Sequence, residues 1–446
     1  MAHILLISGN TTTEPYPVYP LGMAYITAAL RKAGHMIREY DMLFKTGPEN
    51  ELDLVIRNLK PDIIGISIRN IDNFNYTHSQ SYTDAYSGLV RVLRKLSAAP
   101  IVLGGPGYSL YPEVLLEKSG ADFGIVGEGE VLFPKLIEQL TRGIPLNTSV
   151  LYPLKEDSIH CFGTSVRNRD LTQFYLERGG MLNLQTKRGC PLTCTYCSYP
   201  QLEGKHYRFR EPEAVVDEIE HLRNRYGMDY YAIADAVFND YEDHFLLVAQ
   251  ELIRRNISIP FTAFLRPEIF QKEDVKLLKA AGLHAVEWGT DGACDTTLKG
   301  LGKSFTWNEV LSSNDLFLQE GIAGCHFIMF CGPGETPDTV KEGLINLKHL
   351  KQAVVMISLG VRIVPGTKMH RLALQQNMVD EKDDLIEPTY YFSPEIDPST
   401  VDQILRNAFE NRKDRVYPMG QDLDKVAVFH QMGYRGPIWN YLINKT

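Results

Sequence analysis

The chain has 446 residues and a net charge of −9, and nowhere do Lys and Arg gather into a basic run. Phosphate backbones are held by such clusters, so a nucleic-acid partner is not expected. Nor is there an apolar stretch near the ~18 residues that cross a bilayer, so no membrane span is expected. The opening residues hold an apolar run only at 4–7, with no basic segment before it, and no secretory leader is expected. Cysteine is scarce: Cys161, Cys190, Cys194, Cys197, Cys294, Cys325 and Cys331. The number is odd and three are crowded together, which argues against a disulfide framework and for a reducing, cytoplasmic setting. The rest, 44% hydrophobic and 23% charged, is ordinary globular material long enough for two or three domains.

The crowded cysteines, Cys190, Cys194 and Cys197, stand in a segment with Gly189, Pro191 and Tyr196. Three thiolates leave a structural zinc site one ligand short. They suffice for three irons of a [4Fe–4S] cluster, with the fourth iron open to a ligand that is not protein. Zinc completed by a distant His and three buried thiols are the alternatives. Against both, Gly189 permits a tight turn and Pro191 stiffens it, as suits a loop wrapped around a cluster.

Ahead of that segment, short apolar runs alternate with helical periodicity. Strands are expected at 3–8, 37–41, 61–68, 100–103 and 123–126, and helices at 21–33, 52–59, 82–96, 112–118 and 130–141. This alternation predicts a doubly wound parallel sheet over residues 1–145, with ligands at the carboxyl ends of its strands. Residues 146–180 read as an irregular linker. From 181 the rhythm restarts, with strands at 182–185, 230–233, 259–264, 285–288, 324–330 and 355–363 and helices at 215–226, 244–254, 272–281, 307–319 and 337–350. Six βα units predict a partial barrel over 181–375, whose site lies at the strand carboxyl ends. Residues 376–446 form a small α-rich extension, with one helix expected at 401–411. In it Tyr390, Tyr391 and Trp439 are weak pocket candidates, since such aromatics are more often core. Cys294 and Cys325 read as packing thiols, and Cys161 as a bystander.

Cys190, Cys194 and Cys197, with Tyr196 before the last, resemble the signature of the radical S-adenosylmethionine (SAM) superfamily. The turn Gly332-Pro333-Gly334-Glu335-Thr336 resembles that superfamily's adenine-contacting segment, and Glu287 to Gly292 its ribose-contacting one. Pro20-Leu21-Gly22, the strand ending at Ser67, Gly104-Gly105-Pro106 and Gly127-Glu128-Gly129-Glu130 resemble, in order, the cobalamin-binding domain attached to many of these enzymes. The resemblance covers residues 1–370. It implies an α/β chain: an N-terminal Rossmann-like cobalamin-binding domain, then a partial (β/α)6 radical SAM barrel, then the extension.

The resemblance further implies a [4Fe–4S] cluster on the three cysteines, with SAM on the open iron. SAM contacts would come from Tyr196, Asp235, Arg266, Glu287, Asp291, Gly332, Pro333 and Gly334. Asp235 would accept from the SAM ammonium unless it is only a loop or capping carboxylate. Lys303 is a further polar candidate with a surface alternative. Cobalamin contacts would be Tyr19, Pro20, Ser67, Arg69, Asn70, Gly104, Gly105, Gly127, Glu128 and Gly129. The cobalt-ligating Asp-x-His-x-x-Gly pattern is missing, so the lower face of cobalt needs another group. Arg69 is the candidate: always protonated, it covers the metal without ligating it. Alternatively Arg69 pairs with Asp72 or a phosphate. Tyr199, Arg208 and Arg210 would line the cluster or the domain interface. The implied activity is formation of a 5′-deoxyadenosyl radical and methylation of an unactivated carbon of a small metabolite or lipid-like substrate through methylcobalamin. An external one-electron reductant such as flavodoxin or ferredoxin would feed it. A radical cyclisation, ring contraction or dehydration without methyl transfer is the alternative.

Overall fold

In the computed structural model, which describes residues 1–44, 48–154, 162–268, 270–420 and 428–443, two parallel sheets carry the chain. The first is built by β1 (His3–Ser8), β2 (Met36–Asp41), β3 (Ile63–Ser67), β4 (Ile101–Gly104), β5 (Phe123–Ile125) and β6 (Val150–Leu151), interleaved with α1 (Leu21–Lys32), α2 (Pro48–Leu59), α3 (Thr83–Leu96), α4 (Pro106–Leu110), α5 (Pro112–Ser119) and α6 (Gly129–Thr141). Strand order is β2-β1-β3-β4-β5-β6, every pair parallel. Order reverses between β1 and β3, the switch point where such sheets take ligands. Ile4, Leu5, Leu6 and Ile7 are all buried, because helices cover both faces, and so β1 is a continuous apolar run without alternation.

The second sheet begins after α7 (Arg169–Gly179). It contains β7 (Leu182–Leu184), a small hairpin β8 (Lys187–Arg188) and β9 (Arg208–Phe209) around α8 (Tyr199–Leu202), then α9 (Pro212–Tyr226), β10 (Tyr231–Ile233), α10 (His244–Arg254), β11 (Phe261–Leu265), α11 (Lys272–Ala280), β12 (Leu283–Asp291), α12 (Asp295–Gly300), α13 (Trp307–Gln319), β13 (Ala323–Phe330), α14 (Pro337–Leu347) and β14 (Ala353–Leu359). The chain continues through β15 (Val361–Arg362), α15 (Lys368–Gln375), β16 (Tyr390–Tyr391), α16 (Pro398–Phe409), β17 (Arg415–Val416) and a 3-10 turn at Ile438–Leu442. The order β17-β14-β13-β12-β11-β10-β7 is parallel throughout, and among the described residues no pairing joins β7 to β17, so the barrel is open.

Several expectations need correction. The segment 146–180 is not irregular: β6 extends the first sheet, and Asn168 caps α7, its side chain accepting from the backbone N–H groups of Asp170 and Leu171. The last barrel strand does not run from 355 to 363. It breaks at Gly360, whose φ of 75° turns the chain into β15, which pairs antiparallel with β16. The extension is less helical than expected and supplies the seventh parallel strand, β17. Cys161 lies outside the described residues.

The extension also grips the loop after β3. Arg362 reaches Asp72 at 2.9 Å, both buried, and donates to the Ile363 and Leu385 carbonyls. Asn75 Nδ2 donates to Met419 O at 2.7 Å, and the Tyr76 ring packs edge-on to Phe392. These contacts fix the backbone beside Arg69.

Candidate active site

One cavity of about 2140 Å³ lies between the two sheets, well above the ~300–1,000 Å³ of an ordinary small-molecule pocket. Its first wall carries all ten residues expected to meet cobalamin: Tyr19, Pro20, Ser67, Arg69, Asn70, Gly104, Gly105, Gly127, Glu128 and Gly129. Its second wall carries Asp235, Glu287, Ala263, Phe264, Phe327 and Met356 from β10 to β14 and their ends, with Tyr199 and Glu203 from beside the cysteine loop. Trp439 and Tyr441 of the extension close one side.

The first wall is shaped to admit a large flat group. Gly105 has φ 97°, and a methyl group there would meet the Ile68 carbonyl oxygen at 2.6 Å. Ser109 Oγ donates to Gly105 O and accepts from Gly127 N, both at 2.9 Å, which ties the two glycine loops together. Tyr19 packs edge-on to Tyr175 beneath the Arg167 guanidinium, and its carbonyl accepts from Asn183 Nδ2 at 3.0 Å. Arg69 has no ion-pair or hydrogen-bond partner among the described residues, since Asp72, the alternative partner, is taken by Arg362. Its guanidinium faces the cavity, and burial lowers its pKa. Glu128 departs from a purely ligand-facing role. Arg208 donates to both its oxygens at 2.7 Å, and Arg188 adds a bond of 3.1 Å.

The cysteine loop is held from every side. Gly189, at φ 86°, passes so close to His206 O that a methyl group would sit 2.0 Å from it. Cys190 N donates to Gly204 O, Thr195 N to Leu301 O and Met369 N to Thr195 O, at 3.0, 2.9 and 2.7 Å. Arg188, just before it, lies between the Tyr25 and Phe162 rings at 4.7 and 4.2 Å. Cys190, Cys194 and Cys197 are free thiols. Burial raises the Cys190 pKa and pushes the Cys197 thiol up to about 12, with the neighbouring Cys194 adding to both. Among the described residues no three Cys, His, Asp or Glu side chains converge on a single ion.

Around this loop the other expected residues divide into groups. Asp235, buried, accepts from Thr186 N at 2.8 Å and Thr186 Oγ1 at 2.5 Å, with Lys187 Nζ 3.6 Å away. Burial raises its pKa while Lys187 pulls the other way. Its oxygens thus hold the strand that delivers the cysteines. Tyr196 OH donates to Asp291 Oδ2 at 2.5 Å, and the Lys303 ammonium sits on the same oxygen. Burial lowers the Lys303 pKa, but Asp291 and Cys194 more than offset this and hold it raised. Its side chain is 7% exposed, so the surface alternative fails. Arg266 pairs with Glu268 and donates to Tyr241 OH and Ser304 Oγ, apart from the cavity wall. Gly332, Pro333 and Gly334 turn the chain after β13, with Pro333 O against Gly300 and Glu335 Oε2 accepting from Gly332 N at 3.2 Å. Burial raises the Glu335 pKa to about 8. Arg210 stays inside the barrel on Glu218 at 2.7 Å, whereas Arg208 reaches across to the first domain.

Residues 184–344 match the radical SAM superfamily profile and residues 7–137 match the B12 binding domain profile. The chain is 24% identical to an uncharacterized methyltransferase of Pyrococcus horikoshii, over 82% of this chain and 80% of that one. It is likewise 24% identical to tryptophan 2-C-methyltransferase of Streptomyces laurentii, over 78% and 71%. The solved radical SAM methyltransferase TsrM of Kitasatospora setae, with tryptophan and a SAM analogue bound, superposes with a TM-score of 0.88 at 23% identity, covering 98% of this chain and 97% of that one. Two parallel sheets facing one cavity, with the cysteine triad beside it, define the class: an enzyme of the radical SAM superfamily. This chain belongs to the branch that carries an N-terminal B12 binding domain.

Sequence reasoning missed Arg188, Phe264 and Phe327. Only Arg188, next to Gly189, had a local signal. The others become site residues because strands far apart in sequence point them into one cavity.

Proposed function

We propose that this enzyme is a cobalamin-dependent radical SAM methyltransferase acting on a small molecule. The observation that carries this is the single cavity of about 2140 Å³ whose two walls hold the cobalamin-type loops and the barrel interior. When bound, the cluster, SAM and cobalamin supply one-electron chemistry and a transferable methyl group; the protein supplies the frame.

Cys190, Cys194 and Cys197 would hold the cluster on a loop whose backbone is already tied down. Tyr196, Asp291 and Lys303 form a charged group beside it, suited to the polar parts of SAM, with Gly332, Pro333 and Gly334 offering backbone at the end of β13. Gly104, Gly105, Gly127 and Gly129 would seat cobalamin. Arg69, without an ion-pair partner among the described residues, would present to the cobalamin side of the cavity a cation that cannot ligate a metal. Trp439, itself buried, and Tyr441 line one side of the cavity. A soluble one-electron carrier would act as reductant. No helix among the described residues is long and apolar enough to cross a membrane, and the free thiols fit a reducing cytoplasm.

The test uses protein reconstituted with iron, sulfide and cob(II)alamin, reduced, and given SAM with a deuterated methyl group. Labelled methylcobalamin together with S-adenosylhomocysteine is expected. Formation of 5′-deoxyadenosine alone contradicts methyl transfer and favours a radical rearrangement.

A further inference from the structure

Glu287 stands at an inward position of β12. Strand alternation places Ala285 and Glu287 on one face and Val286 and Trp288 on the other, up to a register shift between Trp288 and Asp291. The outer face is ordinary core: Trp288 packs edge-on to Phe317 and over His326. Past the shift, Asp291 has Tyr196 and Lys303. Glu287, four residues earlier and so roughly 13 Å away along the strand, has neither.

The carboxyl of Glu287 is 6% exposed and opens on the cavity. Among the described residues its one hydrogen bond comes from Trp439 Nε1 to Oε1, at 3.3 Å. No Lys, Arg or His pairs with it among the described residues. A buried carboxylate without a cation is costly, and protein groups normally compensate it. Tyr16, Tyr230 and Cys325 also face it, and beyond them the wall is apolar. Phe264 is 43% exposed although it lies within a central strand, and its ring faces Phe327 at 6.3 Å; Met356 lies alongside in the cavity lining. An exposed ring inside a barrel, beside an acid without a cation, is the composition of an apolar recognition pocket with a few orienting polar groups.

We infer that Glu287 is a substrate-recognition residue that accepts a hydrogen bond from a protonated amine or other N–H donor of an apolar, ring-bearing substrate lying on Phe264 and Phe327. It takes the place of the SAM contact that the family resemblance implies at this position. The inference rests on the cavity being the reaction chamber, as proposed above. An ionised carboxylate only accepts hydrogen bonds, so it discriminates against an anion at the same place. Trp439, arriving from the far end of the chain, fixes one oxygen and leaves the other for the ligand.

The test is calorimetric titration of the cluster- and cobalamin-loaded enzyme with two probes of matched shape, 3-phenylpropylamine and 3-phenylpropionate. The amine is expected to bind at least tenfold more tightly. Glu287→Gln should lose at least tenfold in amine affinity while leaving the weak carboxylate binding unchanged, and Glu287→Asp should retain part of the preference. Circular dichroism and cluster absorbance report that each variant is folded and loaded. Equal binding of the two probes, no binding of the amine, or undiminished amine binding by Glu287→Gln overturns the inference. Because binding is read without turnover, an enzyme that selects the amine through Glu287 yet forms no S-adenosylhomocysteine keeps this inference and loses methyl transfer.

Discussion

Arg208 holds Glu128 through two parallel hydrogen bonds of 2.7 Å each, one from each terminal nitrogen. Glu128 lies in the glycine loop of the first domain; Arg208 lies on β9, which pairs with β8 just ahead of the cysteines. Arg188 on β8 shares the same carboxylate and reaches Glu130 at 2.8 Å. The loop that lines the cobalamin side of the cavity is therefore bonded to the strand that leads into the cluster loop.

Breaking this clamp should cost stability. Glu128→Ala removes the carboxylate that two largely buried guanidinium groups share, while Arg188 keeps Glu130 and Arg208 keeps the Glu203 carbonyl, and the loss should be about 1–2 kcal/mol, discounted because Glu128 is partly exposed. Arg208→Lys should not restore it, because an ammonium cannot form the paired bonds. Urea denaturation of the two variants measures both.

Gly105→Ala should impair cobalamin binding. The position needs φ 97°, and the added methyl meets a backbone oxygen that cannot swing away. Strain of ~1–3 kcal/mol is expected from the backbone alone. Equilibrium dialysis should show cobalamin retention falling by about tenfold or more, with the cluster still assembled on Cys190, Cys194 and Cys197.

Arg69 offers a spectroscopic test. The wild-type protein loaded with cob(II)alamin should show an electron paramagnetic resonance spectrum without nitrogen splitting. Arg69→His, which places an imidazole at the same position, should gain it. Nitrogen splitting in the wild type would remove Arg69 from the lower face of cobalt.

Burial raises the Glu287 pKa to about 7. The folded protein therefore binds this proton more tightly than the unfolded chain, whose Glu titrates near ~4.3. Stability from this group is full below the unfolded value and falls as pH rises toward 7, by roughly 2–4 kcal/mol in all. Tyr16, Tyr230 and Cys325 face it, and burial raises the pKa of each, so none changes charge in that window. Glu287→Gln should thus be more stable than the wild type at pH 8, with the difference vanishing at pH 4. Thermal unfolding at the two pH values, without ligand, checks the sign.

The sheets were legible because buried parallel strands print continuous apolar runs, as in β1 and β13, and because glycine marks their carboxyl ends. The cysteine loop was legible because a cluster needs its thiolates close in sequence. Less visible were the short strands: β6 and β17 are two residues each, too brief for periodicity to register. Asn168 and Gly180 did mark both ends of α7, but the helix between them has a largely polar surface. Pairings such as Arg362 with Asp72 and Trp439 with Glu287 span most of the chain, and only the fold brings them together. The same holds for Lys303, whose burial depends on Asp291 and the cysteine loop closing over it.

The central claim is that one cavity brings cobalamin and the iron–sulfur cluster face to face within a single chain. Pulsed electron paramagnetic resonance on protein loaded with both cob(II)alamin and the reduced cluster tests it most directly. The account predicts one cobalamin retained per chain and a dipolar coupling between the two spins, lost together with cobalamin in Gly105→Ala. A protein that assembles its cluster but retains no cobalamin, or that shows two uncoupled signals, would contradict it.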